Sequence, residues 1–548
     1  MAMHQSRRRL RGRVVTAIGV SAVIGVVATG CGSSGTPSSA AATSSTPGNS
    51  GSSPSPAGAA SSDSTASAAS TSSAASTTSG SKTLTVASSA AGLPPDFSTY
   101  TALELMVYDD AVYDFPMHLN ADTDAIEPWA ATSWSYDDSK TALTLNLRPG
   151  MTFSDGTPVN GAALKANFDQ RVTLKDASFD YTNIVSVDAP TDTQVVIHLK
   201  TPDATFLPEV AMTHISAPAA ITSKDSPIGS GPYILDKSKS VTGSSYVFTR
   251  NPHYWNASAF PYDTIVEKVM ADVAARTNAL LSGQVDYAAI DANSAAAVKA
   301  KGLQVIQGEG DSTTFLIADR AGKIVPALGD VRVRQALNYA IDRNAIDKSI
   351  DLGNGNATSQ YFLPGSPYHF DGPDTYTYDP AKAKALLAAA GYPKGFNFGT
   401  LPSLWFPQYE PAVTQYFSAI GVKVQFSAIP LEKSVPDVLA GKYAGFVWGD
   451  SMPNPGLEMR PDGIWNGTHY STPQLVSLWN TIDSGSTAAS AQGMQDLAKY
   501  IYQNAWFVQL GHTPAYFAAD KSLSVKPAGG YSITGFDGAY LWDMKPAS

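Results

Sequence analysis

Residues 330–346 read DVRVRQALNYAIDRNAI, and residues 378–393 read YDPAKAKALLAAAGYP. Each stretch carries its own start signal. Asp330 stands where an N-cap would, and Val333, Ala336, Leu337, Ala340 and Ile341 recur at helical spacing behind it. Asp379 is a good N-cap, and Pro380 fits the first turn, where its missing N–H is not needed. Ala383, Leu386, Leu387 and Ala390 then form an apolar face, Gly391 ends the helix and Pro393 prevents its resumption.

Upstream the period changes. Thr141 to Arg148 alternates Leu143, Leu145 and Leu147 against polar neighbours, as a half-buried strand does. Pro149-Gly150 ends it, Asp155-Gly156 makes a second turn, and a helix is predicted to start near Asn160. Helix and strand signals alternate irregularly, which predicts an α/β or α+β body. No short internal repeat is visible, against solenoids and propellers.

The N-terminal end is of another kind. Arg7, Arg8, Arg9, Arg11 and Arg13 precede an uncharged, mostly apolar run from Val14 to Thr29. The run is shorter than the ~20 residues that span a bilayer. Thr29-Gly30-Cys31 follows, and Cys31 is the single cysteine of the 548 residues. Charged region, short apolar region and small residues before a cut make a secretory signal. Ala28-Thr29-Gly30-Cys31 resembles a bacterial lipobox, with Ala28 in place of the usual Leu. Cys31 is accordingly predicted to carry lipid. Ser6-Arg7-Arg8-Arg9-Leu10 resembles part of a twin-arginine signal, and a basic region of the general export type is the preferred reading.

From Gly32 to Ser81 the chain is Ala, Gly, Pro, Ser and Thr, apart from Asn49 and Asp63. Such a segment cannot bury enough apolar area to offset chain entropy, so a disordered tether is predicted, with a reach of roughly 40 Å. The remainder is too long for one core, and two or three domains are expected. With one cysteine there is no disulfide framework.

The formal net charge is −10, and the part after residue 30 is more negative by the five arginines named above. No basic cluster follows the signal, which argues against nucleic acid or anionic lipid as a partner. Catalytic motifs are missing: there is no Gly-x-Ser-x-Gly elbow, no His-Glu-x-x-His and no Walker A loop. The eight histidines are scattered, and one cysteine leaves no Cys/His zinc spacing. No cofactor or metal is implied. Adjacent acids such as Asp109-Asp110 or Asp137-Asp138 are poor evidence for an acid/base pair.

Aromatic content is the positive signal. Nine Trp and 25 Tyr are present, several beside turn residues: Trp405-Phe406-Pro407, and Trp448-Gly449-Asp450 ahead of Pro453-Asn454-Pro455. Aromatics near turns offer large rigid contact area at low entropy cost. Most single aromatics pack cores, but the 448–455 cluster is read as lining a cleft.

Several segments together resemble the family 5 extracellular solute-binding proteins, the peptide/nickel type that feed ABC importers. Residues 126–134, IEPWAATSW, are similar to that family's P-x-L-A-x-S-W, and residues 144–159 to its F-x-L-R-x-G-V-x-F-x-D-G-x-P segment. Gly229-Ser230-Gly231-Pro232-Tyr233 resembles G-T-G-P-Y. Arg250-Asn251-Pro252-His253-Tyr254-Trp255 resembles R-N-P-x-Y-W, and Gly283 to Asp286 resembles G-E-I-D. The two stretches quoted first match D-x-R-V-R-Q-A-L-x-Y-A-I-D-R-x-x-I and Y-D-P-x-K-A-x-x-L-L-x-x-A-G-Y, and residues 420–424 resemble I-G-I-x-V. The matches keep family order from about 120 to 450.

This resemblance implies an α/β, periplasmic-binding-protein-like fold of the cluster C type: two lobes around a hinge, with an extra inserted domain. It implies a signal at 1–30, a tether at 31–82, and lobe I from 83–117, 229–312 and 511–548. Lobe II would be inserted at 118–228, and lobe III would be 313–510. Trp134, Phe153 and Trp255 are read as packing. Ligand contacts are expected at Tyr108, Trp405, Trp448, Gly449, Asp450, Ser451 and Asn454.

Peptide binders of the family often carry G-W-x-A-D-Y-x-D-P, whose first Asp takes an α-ammonium group. Residues 447–455, VWGDSMPNP, align Ser451 with that Asp, place Asp450 one position early and put Asn454 at the later Asp. A neutral Ser cannot make the charge-assisted bond. Either Asp450 takes over, or the ligand has no free N-terminus. The resemblance thus implies a monomeric, lipid-anchored binding protein on the outer face of the cell membrane. It would deliver a solute, a short peptide by default, to a separately encoded permease and ATPase. An oligosaccharide or metal chelate is the alternative ligand. A secreted hydrolase and a surface scaffold for protein partners are the rival classes.

Overall fold

The computed structural model describes residues 82–88, 107–120, 125–174, 181–211, 213–223, 226–308, 312–404, 406–450, 455–526 and 538–547. The predicted lipidation site Cys31 and the tether lie outside them. Among the described residues no helix is long and apolar enough to cross a membrane.

Three sheets organise the body. The largest has seven strands in the spatial order Gln304–Gly308, Ala515–Ala519, Tyr287–Ile290, Thr83–Ser88, Thr264–Val269, Ser245–Arg250 and Tyr233–Leu235. Its central strand, Thr83–Ser88, is parallel to both neighbours. Leu84 and Val86 pack with Phe248, Ile265 and Tyr287, while Ala87 faces Leu280, Ala288 and Val298 on the other side. Both faces of this strand are therefore covered, as a parallel strand requires.

A four-stranded antiparallel sheet forms a second lobe, ordered Ala131–Tyr136, Ala142–Leu147, Gln194–Leu199 and Ile184–Thr191. Leu143, Leu145 and Leu147 point into its core beside Val195, Ile197 and Leu199, as their alternation predicts. Helix Gly161–Leu174 covers that face with Leu164 and Phe168. Asn160 Oδ1 accepts from the Ala163 N–H at 3.0 Å and starts this helix. Where the chain returns to the larger sheet, a β-carbon on Gly229 would lie 1.9 Å from the Val112 carbonyl oxygen. The glycines of Gly229-Ser230-Gly231 permit that approach.

Asp114 ties the two lobes together. It accepts from Trp129 Nε1 at 2.8 Å, the Tyr254 hydroxyl at 2.9 Å and Trp255 Nε1 at 3.0 Å. Burial pushes its carboxyl up to about 6 in spite of those bonds. The Arg148 guanidinium lies 4.1 Å from the Trp255 ring centre. Trp255 therefore packs as expected and also donates a hydrogen bond.

The third lobe holds a three-stranded antiparallel sheet, Gly445–Asp450, Ser312–Ile317 and Phe507–His512, beside a parallel pair, Asn397–Ser403 and Lys423–Ala428. Helices Val331–Tyr339, Pro380–Ala389 and Glu410–Ala419 share one core with Phe315, Ile317, Val447 and Val508. Helices Pro473–Ser484 and Thr487–Gln503 share the other with Leu316, Phe446, Trp448 and Phe507. The result is a helix–sheet–helix sandwich.

The stretch 330–346 forms two helices, not one. Asp330 accepts from Arg332 N and caps Val331–Tyr339, and Asp342 accepts from Ala345 N and caps Arg343–Ile350. Ala340 is already the first helix's C-cap, and Ile341 is buried in the link. Its polar residues work inward. Arg334 donates to the Asn504 and Leu328 carbonyls at 2.9 and 2.7 Å. Asn338 donates to the Phe507 carbonyl at 3.0 Å, and Arg343 to the Tyr376 carbonyl at 2.6 Å. These side chains satisfy buried carbonyls that would otherwise cost stability. Asp379 caps Pro380–Ala389 through Lys382 N at 2.8 Å.

Candidate functional site

The strands of the three-stranded sheet and the helices that cover it come from between Ser312 and His512, so the chain passes between this sheet and the seven-stranded one twice. One passage runs from strand Gln304–Gly308 to Ser312–Ile317, and the other from Phe507–His512 to Ala515–Ala519. On each side of the passage the two strands pair with one another, antiparallel. A pair of short crossovers between two sheets is the geometry of a hinge.

Register places the hinge end of the third sheet. Ser312 pairs with Asp450 on one side and with His512 on the other. Strand Gly445–Asp450 therefore ends where the crossovers begin. The parallel strands Asn397–Ser403 and Lys423–Ala428 are joined by helix Glu410–Ala419. Their carboxyl ends are where open α/β sheets place ligands.

The side chains at this end form a polar bed. Gln509 Nε2 donates to Ser312 Oγ at 3.0 Å and to the Gly511 carbonyl at 2.9 Å. His512 Nε2 bonds the Gln360 carbonyl at 3.0 Å, which makes that nitrogen the donor. Burial lowers His512 to about 4, so its ring is neutral at pH 7. The Tyr409 hydroxyl donates to Asp351 Oδ1 at 2.8 Å and lies 2.7 Å from Thr513 Oγ1, which donates to the same oxygen at 3.1 Å. Thr513 is the first residue after strand Phe507–His512, so Asp351 and Tyr409 hold one crossover in place. Burial raises the Asp351 carboxyl, with these bonds and Asp347 as lesser influences.

The expected contacts separate as follows. Trp448, Gly449 and Asp450 share one strand at the hinge end. Trp448 is 6% exposed, with its ring centre 4.5 Å from that of Trp465 and 6.1 Å from that of Phe446. It lies on a strand, and the period of two gives it the face of Phe446, which the helices Pro473–Ser484 and Thr487–Gln503 cover. Its bulk fills core in place of a cleft rim. Gly449 faces the other way, and the Phe406 ring lies over it. Tyr108 sits across the hinge on helix Val107–Val112, half-buried against the seven-stranded core. Asp450 is placed by its backbone pairing. Trp405, Ser451 and Asn454 lie outside the described residues.

Sequence reading missed Asp351, Tyr409, Gln509, His512 and Thr513. The one local signal was Gly511-His512-Thr513-Pro514, a break in an apolar run that marks where a strand leaves its sheet. Beside Phe406 an open groove of about 900 Å³ runs between helix Glu410–Ala419 and strand Lys423–Ala428, lined by Pro407, Glu410, Thr414 and Phe426. Among the described residues no three His, Cys, Asp or Glu side chains converge to hold a metal.

Comparison with known proteins bears on this arrangement. The model of the bacterial extracellular solute-binding proteins, family 5 Middle, matches residues 125–470. The chain is 29% identical over 459 residues to the glutathione-binding protein GsiB of Shigella dysenteriae serotype 1, covering 74% of this chain and 85% of that one. Among solved structures, the binding protein AgaA of A. tumefaciens R10 in complex with agropinic acid superposes with a TM-score of 0.72 at 22% identity, over 85% of this chain and 99% of that one. The periplasmic binding protein DppA of Helicobacter pylori, in complex with peptide STSA, gives a TM-score of 0.68 at 19% identity over 84% and 98%.

Proposed function

The chain belongs to the bacterial extracellular solute-binding proteins of family 5, with the cluster C periplasmic-binding-protein fold, and on that premise we propose that it captures a short peptide between its lobes. As a substrate-binding protein of an ABC importer it hands its solute to a permease and ATPase. We further propose that it works as a monomer held to the outer face of the membrane by lipid on Cys31, without catalysis of its own.

The observation that carries the reading is the coincidence of hinge and strand ends. Asp450, Gly449 and Phe406 lie at the end of the third sheet from which both crossovers leave. Closing the lobes brings that end against the seven-stranded lobe, where Tyr108 sits. A closed cleft removes water, which strengthens the few polar contacts that fix a ligand's orientation.

A second reading has a specific observation in its favour. Ser451 stands where peptide binders carry an aspartate, so a ligand without a free ammonium group, such as an oligosaccharide or a metal chelate, fits equally. Native mass spectrometry of the purified protein, followed by a thermal-shift screen over peptides, oligosaccharides and metal chelates, decides between them. Occupancy at 100-fold excess over Kd stabilises the folded state by about 2.7 kcal/mol. No shift with any class at millimolar concentration would overturn the capture reading.

A further inference from the structure

The four-stranded lobe and the third lobe touch at a place remote in sequence from the hinge. Arg460 follows helix Pro455–Met459 in the third lobe. Its guanidinium is held there by Asp483, with Nη1 donating to Oδ2 and Nη2 to Oδ1, both at 2.7 Å. It also lies 4.1 Å from the centre of the Trp479 ring, whose Nε1 donates to the Met459 carbonyl at 3.1 Å. Arg460 is thus oriented by its own lobe, and little side-chain freedom remains to be lost.

Three bonds cross from this assembly to the four-stranded lobe. Arg460 Nη2 donates to Asp203 Oδ1 at 2.7 Å, Asp483 Oδ1 accepts from Ala204 N at 3.0 Å, and Lys140 Nζ donates to the Gly485 carbonyl at 2.5 Å. Arg460, Asp203 and Asp483 are 15%, 14% and 9% exposed, so the triad is largely out of water. Asp203 is also held locally, accepting from Thr205 N and Oγ1 at 2.9 and 2.7 Å. The four-stranded lobe is fixed to the seven-stranded one through Asp114. Rotation of the third lobe away from the seven-stranded lobe therefore pulls Asp203 and Lys140 away from Arg460 and Gly485.

We propose that Asp203 and Arg460, with Lys140 and Gly485, form a latch that closes the third lobe onto the four-stranded lobe and sets the closed fraction of the protein before any solute binds. Each half is preassembled. On opening, Arg460 keeps its ion pair with Asp483 and Asp203 keeps its two hydrogen bonds from Thr205, so neither charged group is left without a partner. The latch is then reversible where a lone buried ion pair would be costly to break. A solute that binds the closed form has its apparent affinity scaled by the closed fraction. Arg460 and Asp203 thereby tune capture without touching the solute. The latch rests on the capture reading for its purpose, but its test contains no solute, so its failure would leave that reading intact.

The test uses the full chain carrying Cys31→Ser, with spin labels on cysteines placed at the exposed Val185 and Val476, one on each lobe. Pulsed electron double resonance then reads the interlobe distance. Asp203→Asn keeps an oxygen for the Thr205 turn and removes the charge. We expect it to lower the closed-to-open ratio about tenfold, in the range of a partly buried ion pair. Lys140→Met, which spares the Asp203 turn, is expected to shift the distances the same way and serves if Asp203→Asn fails to fold. Superimposable distances for the parent, Asp203→Asn and Lys140→Met would overturn the latch.

Discussion

The Phe406 ring occupies the space above Gly449: a β-carbon on Gly449 would lie 2.2 Å from Phe406 Cζ and 2.4 Å from Cε2. Glycine at the penultimate position of strand Gly445–Asp450 is therefore what lets the tip of an aromatic ring approach the backbone at the hinge end of the sheet. Gly449→Ala must push that ring aside. We expect a loss of about 1–3 kcal/mol, the usual cost of overpacking, measured by denaturant unfolding. Phe406→Ala in the same chain should remove most of that penalty. An unchanged midpoint for Gly449→Ala alone would show that the ring does not rest there.

Trp448→Ala addresses a neighbour with a different role. Because Trp448 packs against Trp465 and Phe446, its truncation should cost about 3–5 kcal/mol with no ligand present. Loss of binding in this variant would then report unfolding. Unchanged stability combined with weaker binding would instead return Trp448 to the cleft.

Asp450→Asn tests the ammonium contact. If Asp450 receives a peptide's α-ammonium group, the variant should weaken a free-amine peptide by about 2–5 kcal/mol. An N-acetylated peptide should bind the parent poorly and lose little more in the variant. Calorimetry of the two peptides separates the cases, and equal affinity in parent and variant points to a ligand without that charge.

Buried histidines and buried carboxyls should make opposed contributions to proton linkage. Burial holds His118 and His214 well below the ordinary imidazole range, and His512 falls to about 4. A group with a depressed folded value stays neutral while the unfolded chain takes up its proton, so its contribution is lost as pH falls below about 6.5. Asp114, raised to about 6, acts in the opposite sense: the folded state takes up its proton first, and stability is gained as pH falls through 6. Burial raises the Asp286, Asp351 and Glu410 carboxyls as well, so carboxyls oppose the decline that each histidine contributes between pH 7 and pH 5. His118 lies between the rings of Trp129 and Trp542, at 3.5 and 3.8 Å. His118→Phe keeps an aromatic there and should reduce that histidine contribution, read as the unfolding free energy at pH 7 and at pH 5. A difference between the two pH values equal to the parent's in that variant would show that His118 titrates normally.

Cys31→Ser should leave the body folded and move the protein from the membrane fraction to the medium or to uncut precursor. Fractionation with immunoblotting reads this directly. Membrane retention of correctly cut protein would refute lipid attachment.

The local grammar of the chain was legible without coordinates. Asp330, Asp379 and Asn160 cap helices because a short oxygen-bearing side chain beside an apolar period has few better conformations. Leu143, Leu145 and Leu147 face one core because a strand alternates. The motifs around 126–134, 144–159 and 330–346 carried the family. The single helix read through Ile341 breaks at Tyr339 because Asp342 caps a new one, a choice between two adequate caps that spacing alone does not make.

Residues a few positions apart thus fix the caps, turns, apolar periods and the family they spell. Tertiary structure alone decided which end of the third sheet meets the hinge, that Trp448 fills core while Gly449 carries Phe406, and that Asp114 meets Tyr254 and Asp203 meets Arg460 across 140 and 257 residues. The physical reason is that period and propensity act over one or two turns of chain. Partners brought together by the crossing of sheets leave no spacing in the sequence from which their meeting could be read.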